Sequence, residues 1–303
     1  LKAKGYGVLM EQSFADRTFH SPQGDFHYVD WGGPGAFAHF SHATGFCAMT
    51  YEPLAARLRP HLRVIGMDDR GHGLTTAPAY VRKLKDWDVF ALDLEQFLES
   101  MGEPMVLMGH SRGAVASLLL AAKRPELVKA LVLIDPTILP FSWMWWWYLA
   151  KKAGVAKFVP IAYRAARRKN SWPDSRAVKE SYKRKGPFIN WSEGFLEGYL
   201  AHGTVKNAEG RIRLSCDPAW ESRCFSTCSH DVWRFIPTLT MPTILIYGEK
   251  SDICLPPAVK RFRRKLPNAK IVGLKGTSHF VPMERTDETA ELIIGFLKEN
   301  GII

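Results

Sequence analysis

Long apolar runs, cysteine and, over one stretch, acidic charge are what this 303-residue sequence has little of. Its longest apolar run, Thr137–Ala150, has 14 residues and stops at Lys151-Lys152. A helix that crosses a bilayer needs about 20, so no such helix is expected. The opening LKAKGYGVLM lacks the ~7–15-residue apolar core of a secretory signal. The sequence therefore reads as cytoplasmic, or as one from which such a segment was removed. Five cysteines, Cys47, Cys216, Cys224, Cys228 and Cys254, are an odd number in a long chain, which argues against a disulfide framework and for reduced thiols. The spacing Cys224-x3-Cys228-x-His230, with Cys216 nearby, fits no well-defined zinc pattern, and no metal is expected.

Acidic residues are scarce between Lys151 and Lys185, where only Asp174 and Glu180 oppose twelve basic residues. That stretch carries +10 of the chain's net +11. The plainest reading is the solvated outer face of amphipathic helices. Attraction to anionic lipid surfaces or to acidic substrates are sharper ones. No recognition motif accompanies the charge, so nucleic acid is not expected as a partner.

What is present is an alternation of apolar strand-like and helix-like runs. AFAHF, LRVIGM, PMVLMG and ALVLID read as strands, and TYEPLAARL, DVFALDLEQFLESM and RGAVASLLLAAK as the helices between them. After Pro237 the pattern returns with PTILIYG, PAVKRFRRKL, AKIVGL and ETAELIIGFLKEN. Strands this apolar, separated by helices, imply a mostly parallel sheet covered on both faces. From about Ile138 to Ile236 strand signals vanish, and aromatic, basic, helix-like segments take over.

The sharpest motif is Gly109-His110-Ser111-Arg112-Gly113, set between the strand PMVLM and the helix RGAVASLLLAA. A G-x-S-x-G at a strand-to-helix junction reads as a nucleophile elbow, with the serine hydroxyl pushed out at the sheet's carboxyl edge. The glycines let strand and helix approach closely, and the helix amino terminus favours a developing oxyanion. Serine alone is a weak nucleophile, so a base and an orienting acid should follow, in the order serine, acid, histidine. The loop GEKSDICLPP after one strand holds Asp252, and KGTSHFVPMERTDE after the next holds His279. Asp252 is taken as the acid, because its loop precedes the histidine by one strand–helix–strand unit. Asp135, which ends the strand ALVLID, competes for the role.

These residues resemble the α/β-hydrolase family over roughly residues 14–140 and 236–303, and MDDRGHG (Met67 to Gly73) resembles the loop after that family's fourth strand. The resemblance implies the α/β-hydrolase fold, with a core of residues 1–137 and 237–303 and a helical cap of residues 138–236. It places His42-Ala43 where the family has His-Gly, so that the backbone N–H groups of Thr44 and Arg112 would form the oxyanion hole. Related dehalogenases and epoxide hydrolases carry aspartate at the elbow. Serine there implies acyl-enzyme chemistry with no cofactor.

The segment Phe141–Ala150, FSWMWWWYLA, falls where a cap would begin. On a helix Trp143 and Trp147 share a face, as do Trp145 and Leu149, so aromatic surface wraps most of the way round. Cap–core packing is the first reading. Lining of a substrate pocket, with Phe46, His110, Trp143, Trp147 and Phe280 as its wall, is the second, and a weak membrane-surface contact the third. The expected function is hydrolysis of a small carboxylic ester with an apolar acyl or alcohol group. Lactone, thioester or carbon–carbon bond hydrolysis by the same triad, or non-catalytic small-molecule binding, are the alternatives.

Overall fold

The computed structural model describes residues 14–229 and 231–303; the opening ten residues and His230, both weighed above, lie outside them. Ten strands are described: β1 (Ala15–Ser21), β2 (Gly24–Gly32), β3 (Phe37–Ser41), β4 (Arg63–Met67), β5 (Met105–His110), β6 (Val128–Ile134), β7 (Thr204–Lys206), β8 (Ile212–Leu214), β9 (Thr243–Gly248) and β10 (Lys270–Leu274). Eight form one sheet in the order β1-β2-β4-β3-β5-β6-β9-β10. The β1–β2 and β2–β4 pairs are antiparallel, and every pair from β4 to β10 is parallel.

The continuous apolar strands are sorted by their own period of two. In β6, Leu131 and Leu133 enter the core cluster on one face, while Ala130, Val132 and Ile134 enter the cluster on the other. Strand β5 divides likewise into Leu107 against Val106 and Met108, and β9 into Leu245 against Ile244 and Ile246. Each fully buried side chain of this kind contributes about 1.5–3 kcal/mol, so one residue of register slip would cost most of this packing. On the first face lie the helices α2 (Asp88–Met101) and α3 (Arg112–Lys123); the second is covered by α1 (Glu52–Leu58) and by the chain's last helix, Thr286–Glu299. Helix α2 meets the sheet through Phe90, Ala91, Leu94, Phe97 and Leu98, the stripe of a 3.6-residue period.

Residues 138–236 add no strand to this sheet. They form α4 (Met144–Lys152), α5 (Pro160–Ala166), α6 (Ser175–Lys183), α7 (Gly186–Ile189), α8 (Phe195–His202) and α9 (Pro218–Ser226). After this segment come α10 (Pro256–Lys265), α11 (Val281–Glu284) and α12 (Thr286–Glu299). Two features depart from the sequence reading. The hairpin β1–β2 leads the sheet, and β7 pairs antiparallel with β8 inside the helical segment, extended by a bridge from Trp172 to Ile212. Three-residue strands leave no run long enough to show alternation.

The parallel register aligns the strand ends. Ser41 pairs with Gly109, His110 with Ile134, Ile134 with Ile246, and Gly248 with Leu274. The loops that leave β3, β5, β6, β9 and β10 therefore emerge together along one edge of the sheet.

Candidate active site

Ser111 stands between β5 and α3 with φ 58° and ψ −117°, a left-handed conformation that non-glycine residues seldom adopt. Its N–H is tied to the Ile134 carbonyl at 3.0 Å. The flanking glycines are required by space: a Cβ on Gly109 would lie 2.5 Å from the Gly113 carbonyl carbon, and one on Gly113 would lie 2.1 Å from the Ser41 carbonyl oxygen. Strain is held there by packing on every side, as at many reactive sites. The Ser111 hydroxyl shares a hydrogen bond of 3.1 Å with the Thr137 hydroxyl.

His279 lies in the loop after β10, and its Nδ1 donates to Asp135 Oδ1 at 2.7 Å. The expected partner, Asp252, is exposed to solvent in the loop after β9. His279 is thus bonded to the competing Asp135 and not to Asp252, and the cause is the aim of that loop. The Gly248 N–H donates to Asp135 Oδ2 (2.8 Å) and the Ser251 hydroxyl to Asp135 Oδ1 (2.6 Å). The GEKSD loop thus contributes Ser251, the residue before Asp252, as a clamp on the buried carboxylate. Asp135 itself has φ 41°, the second non-glycine residue turned left-handed among the described residues, and this turn directs its side chain along the sheet edge.

The strap after β3 carries Thr44, which the sequence reading assigns to an oxyanion hole together with Arg112. Among the described residues, neither backbone N–H meets an acceptor. The Arg112 side chain is fully buried and turns back to hold the strap: Nε donates to Thr44 Oγ1 (3.0 Å), Nη2 pairs with Asp69 Oδ2 (2.6 Å), and the guanidinium lies 4.0 Å over the Phe90 ring. Two neighbours, Ala43 and His110, are joined through Tyr51. The Ala43 N–H donates to the Tyr51 hydroxyl (3.2 Å), which lies 2.8 Å from His110 Nδ1, and His110 Nε2 lies 2.9 Å from the His279 carbonyl. A carbonyl only accepts, so Nε2 carries the His110 proton and Nδ1 accepts from tyrosine. Burial, with the adjacent His279 ring, holds His110 well below the usual imidazole range, in keeping with a neutral ring. His110 is buried on all sides, so it is a strut between two loops, contrary to its expected place in a pocket wall.

The other expected wall residues divide. Phe46 and Phe280 meet edge-on at 6.3 Å, and both contact Trp191, at 5.4 and 5.5 Å. Phe280 also lies 5.5 Å from the His279 ring. Trp147 is half-buried, its indole N–H donating to the Cys228 carbonyl (2.9 Å), whereas Trp143 is exposed. The aromatic cluster beside His279 is therefore made of Phe280, Phe46 and Trp191, the last from the segment between β6 and β9, with the buried Tyr199 packed behind Phe46. Trp191 also contacts Phe188 (4.4 Å) and Phe195 (6.3 Å), three residues before and four after it, but no local spacing marks its contacts with Phe46 and Phe280, which come from distant loops. That segment reaches the strap again at Gly45, where a Cβ would meet Glu221 Oε1 at 2.4 Å; Glu221 is held by Arg168 at 2.6 Å through both oxygens.

Burial raises the thiols of Cys224 and Cys228 to about 12 and that of Cys47 further, so none is a nucleophile near neutral pH. Among the described residues, Asp16, His27 and His202 bring three ligand-type atoms within 4.8 Å of one another. Both His27 nitrogens, however, are bonded to carboxylates, Nδ1 to Asp68 (2.8 Å) and Nε2 to Asp16 (2.9 Å). Burial opposes the charge on this ring, but the two carboxylates raise its pKa, which describes an imidazolium between anions better than a metal ligand.

The family model described as the alpha/beta hydrolase family matches residues 33–292. The chain belongs to the alpha/beta hydrolase family. Among the relatives of this family member, 2-(acetamidomethylene)succinate hydrolase of Mesorhizobium japonicum is 26% identical over 88% of this chain and 89% of its own length. The (lyso)-N-acylphosphatidylethanolamine lipase of Mus musculus is 33% identical over 80% of this chain and 72% of its own length. Of solved structures, that of E-2-(acetamidomethylene)succinate hydrolase superposes with a TM-score of 0.77 at 22% identity, covering 94% of this chain and 99% of that one. These relatives are hydrolases, and the eight-stranded hydrolase sheet is common to the fold.

Proposed function

We propose that this hydrolase-family chain cleaves carboxylic esters with an apolar acyl or alcohol group, through an acyl-enzyme on Ser111, with His279 as base and Asp135 as orienting acid. The observation that carries the reading is the pairing of a left-handed Ser111 at a strand-to-helix turn with a His279–Asp135 hydrogen bond of 2.7 Å on the same sheet edge. In the reaction the Ser111 hydroxyl turns from Thr137 toward the substrate, and His279 Nε2 takes its proton as Oγ attacks the carbonyl carbon. Asp135 keeps the Nδ1–H tautomer and stabilises the imidazolium, and the Thr44 and Arg112 N–H groups receive the oxyanion. Collapse breaks the C–O bond, and the alcohol leaves with the histidine's proton. Water, deprotonated by His279, then attacks the acyl carbon and returns Ser111 and a free acid.

Residues 138–236 serve in this reading as a cap that closes the acyl pocket, with Trp191 and Tyr199 facing Phe46. The aromatic wall favours an apolar group beside the scissile bond, and the lipase named among the relatives is in keeping with it. A series of p-nitrophenyl esters of rising acyl length, run beside Ser111→Ala, is the test. Turnover that vanishes in the variant, with a fluorophosphonate adduct found on Ser111 by mass spectrometry, supports the reading; absence of both turnover and adduct in the unaltered protein refutes it.

A further inference from the structure

The outer face of α4 and the turn that follows it has no place in this chemistry. Helix α4 buries none of its residues completely. Its inward side, Met144, Trp147 and Lys151, is partly covered, with the Trp147 indole and the Lys151 ammonium bonded to the Cys228 carbonyl. Its outward side is as apolar as the inward one: Trp145 is 73% exposed, Trp146 75% and Leu149 49%. The turn Val155–Phe158 continues the surface with Val155 at 50% and Phe158 at 60%. A soluble surface helix presents polar residues outward, and a contiguous exposed apolar patch marks a contact site.

Charge decides what kind of contact. No acidic residue occurs between Asp135 and Asp174, while seven basic residues do. Among the exposed ones, Lys152 lies 5.0 Å over the Tyr148 ring and Lys157 5.1 Å over the Phe158 ring, so aromatic and cationic groups are interleaved. Two copies of this face would set like charges against each other. Indole and phenol rings settle at the headgroup level of a bilayer, lysine stems can lie along apolar surface with the ammonium in water, and basic residues beside them draw anionic lipid. Among the described residues no helix is long and apolar enough to cross a membrane, which leaves α4 lying in the interface plane.

We propose that this face docks the protein onto the surface of anionic phospholipid bilayers. The proposal does not depend on the ester-hydrolase reading, and Ser111→Ala protein serves equally well to test it. The full chain is floated with vesicles of phosphatidylglycerol mixed into phosphatidylcholine, and with phosphatidylcholine alone. Co-flotation is expected with the mixed vesicles, reduced by salt, and lowered at least about tenfold in Trp145→Ser/Trp146→Ser and in Lys152→Glu/Lys157→Glu. Unchanged thermal unfolding and unchanged far-ultraviolet circular dichroism show that the variants are folded. Absence of binding to the mixed vesicles, or binding equal in all variants, overturns the proposal. So does self-association in sedimentation that the tryptophan variant abolishes, since it assigns the face to a second copy of the chain.

Discussion

Replacing Asp135 by asparagine tests the geometry of the site most directly. The carboxylate accepts three hydrogen bonds, from His279 Nδ1, Ser251 Oγ and the Gly248 N–H. An asparagine amide keeps one accepting oxygen and introduces an NH2. If that oxygen faces Gly248, which can only donate, the NH2 faces His279 Nδ1 and forces the imidazole into the tautomer with Nε2 protonated. If the oxygen faces His279, the NH2 confronts the Gly248 N–H in a site where Asp135 is wholly buried. The first arrangement keeps more hydrogen bonds, and it leaves Nε2 unable to take the Ser111 proton. The expected loss in kcat is about 10⁴-fold, or about 5 kcal/mol of transition-state stabilisation, with KM little changed. Asp252→Asn alters an exposed side chain and should stay within about twofold. Steady-state kinetics on one soluble ester, with circular dichroism to verify folding, measures both. A large loss in Asp252→Asn together with near-normal kcat in Asp135→Asn would refute the assignment.

Acid should destabilise the fold before the carboxylates titrate. His39 is buried, and desolvation, opposed by Asp69, lowers its pKa to about 4; its Nε2 accepts the Met67 N–H and has no room for a proton. Because the folded value lies below the unfolded one, stability is complete above pH ~6.5 and is lost as the pH falls toward 4, roughly 3 kcal/mol from this ring alone. Thermal unfolding followed from pH 7.5 to 4.5 should show that decline, and His39→Gln should lessen it while the buried His42, His72 and His110, also lowered by desolvation, sustain the remainder. Tyr51→Phe removes the donor to His110 Nδ1 and the acceptor of the Ala43 N–H, leaving two buried groups unpaired. A loss of about 2–3 kcal/mol in denaturant unfolding is expected, with a fall in kcat larger than any rise in KM, because the strap that carries Thr44 loses its brace.

The elements that repeat a period were the legible ones. The helices over Asp88–Met101 and Arg112–Lys123 and the parallel strands follow from apolar spacing alone, because burial on one stripe or on both faces writes itself along the chain. The proposed nucleophile Ser111 and base His279 were legible because each follows a readable strand. The proposed acid was not, since its place along the chain favours Asp252, and only side-chain direction selects Asp135. That direction is set by a φ of 41° and by a serine on another strand's loop, neither of which leaves a periodic trace. The indole cluster shows a similar limit: its composition suggests cap–core packing, yet while Met144 and Trp147 pack against the core, Trp145 and Trp146 face solvent.

Strands β6 and β9 lie side by side in the sheet, with Ile134 opposite Ile246, although the whole helical segment runs between them in sequence. The proposed acid, Asp135, follows the first of these strands, and its two clamps, Gly248 and Ser251, end the second strand and lie in the loop after it. Everything chained between those points leaves and returns at one seam, like a cassette in a fixed holder. If the insert caps the proposed site, its duplication, loss or exchange would change which molecules enter while the His279–Asp135 pair keeps its alignment. Inheritance would tolerate wide change at the mouth and almost none at the seam.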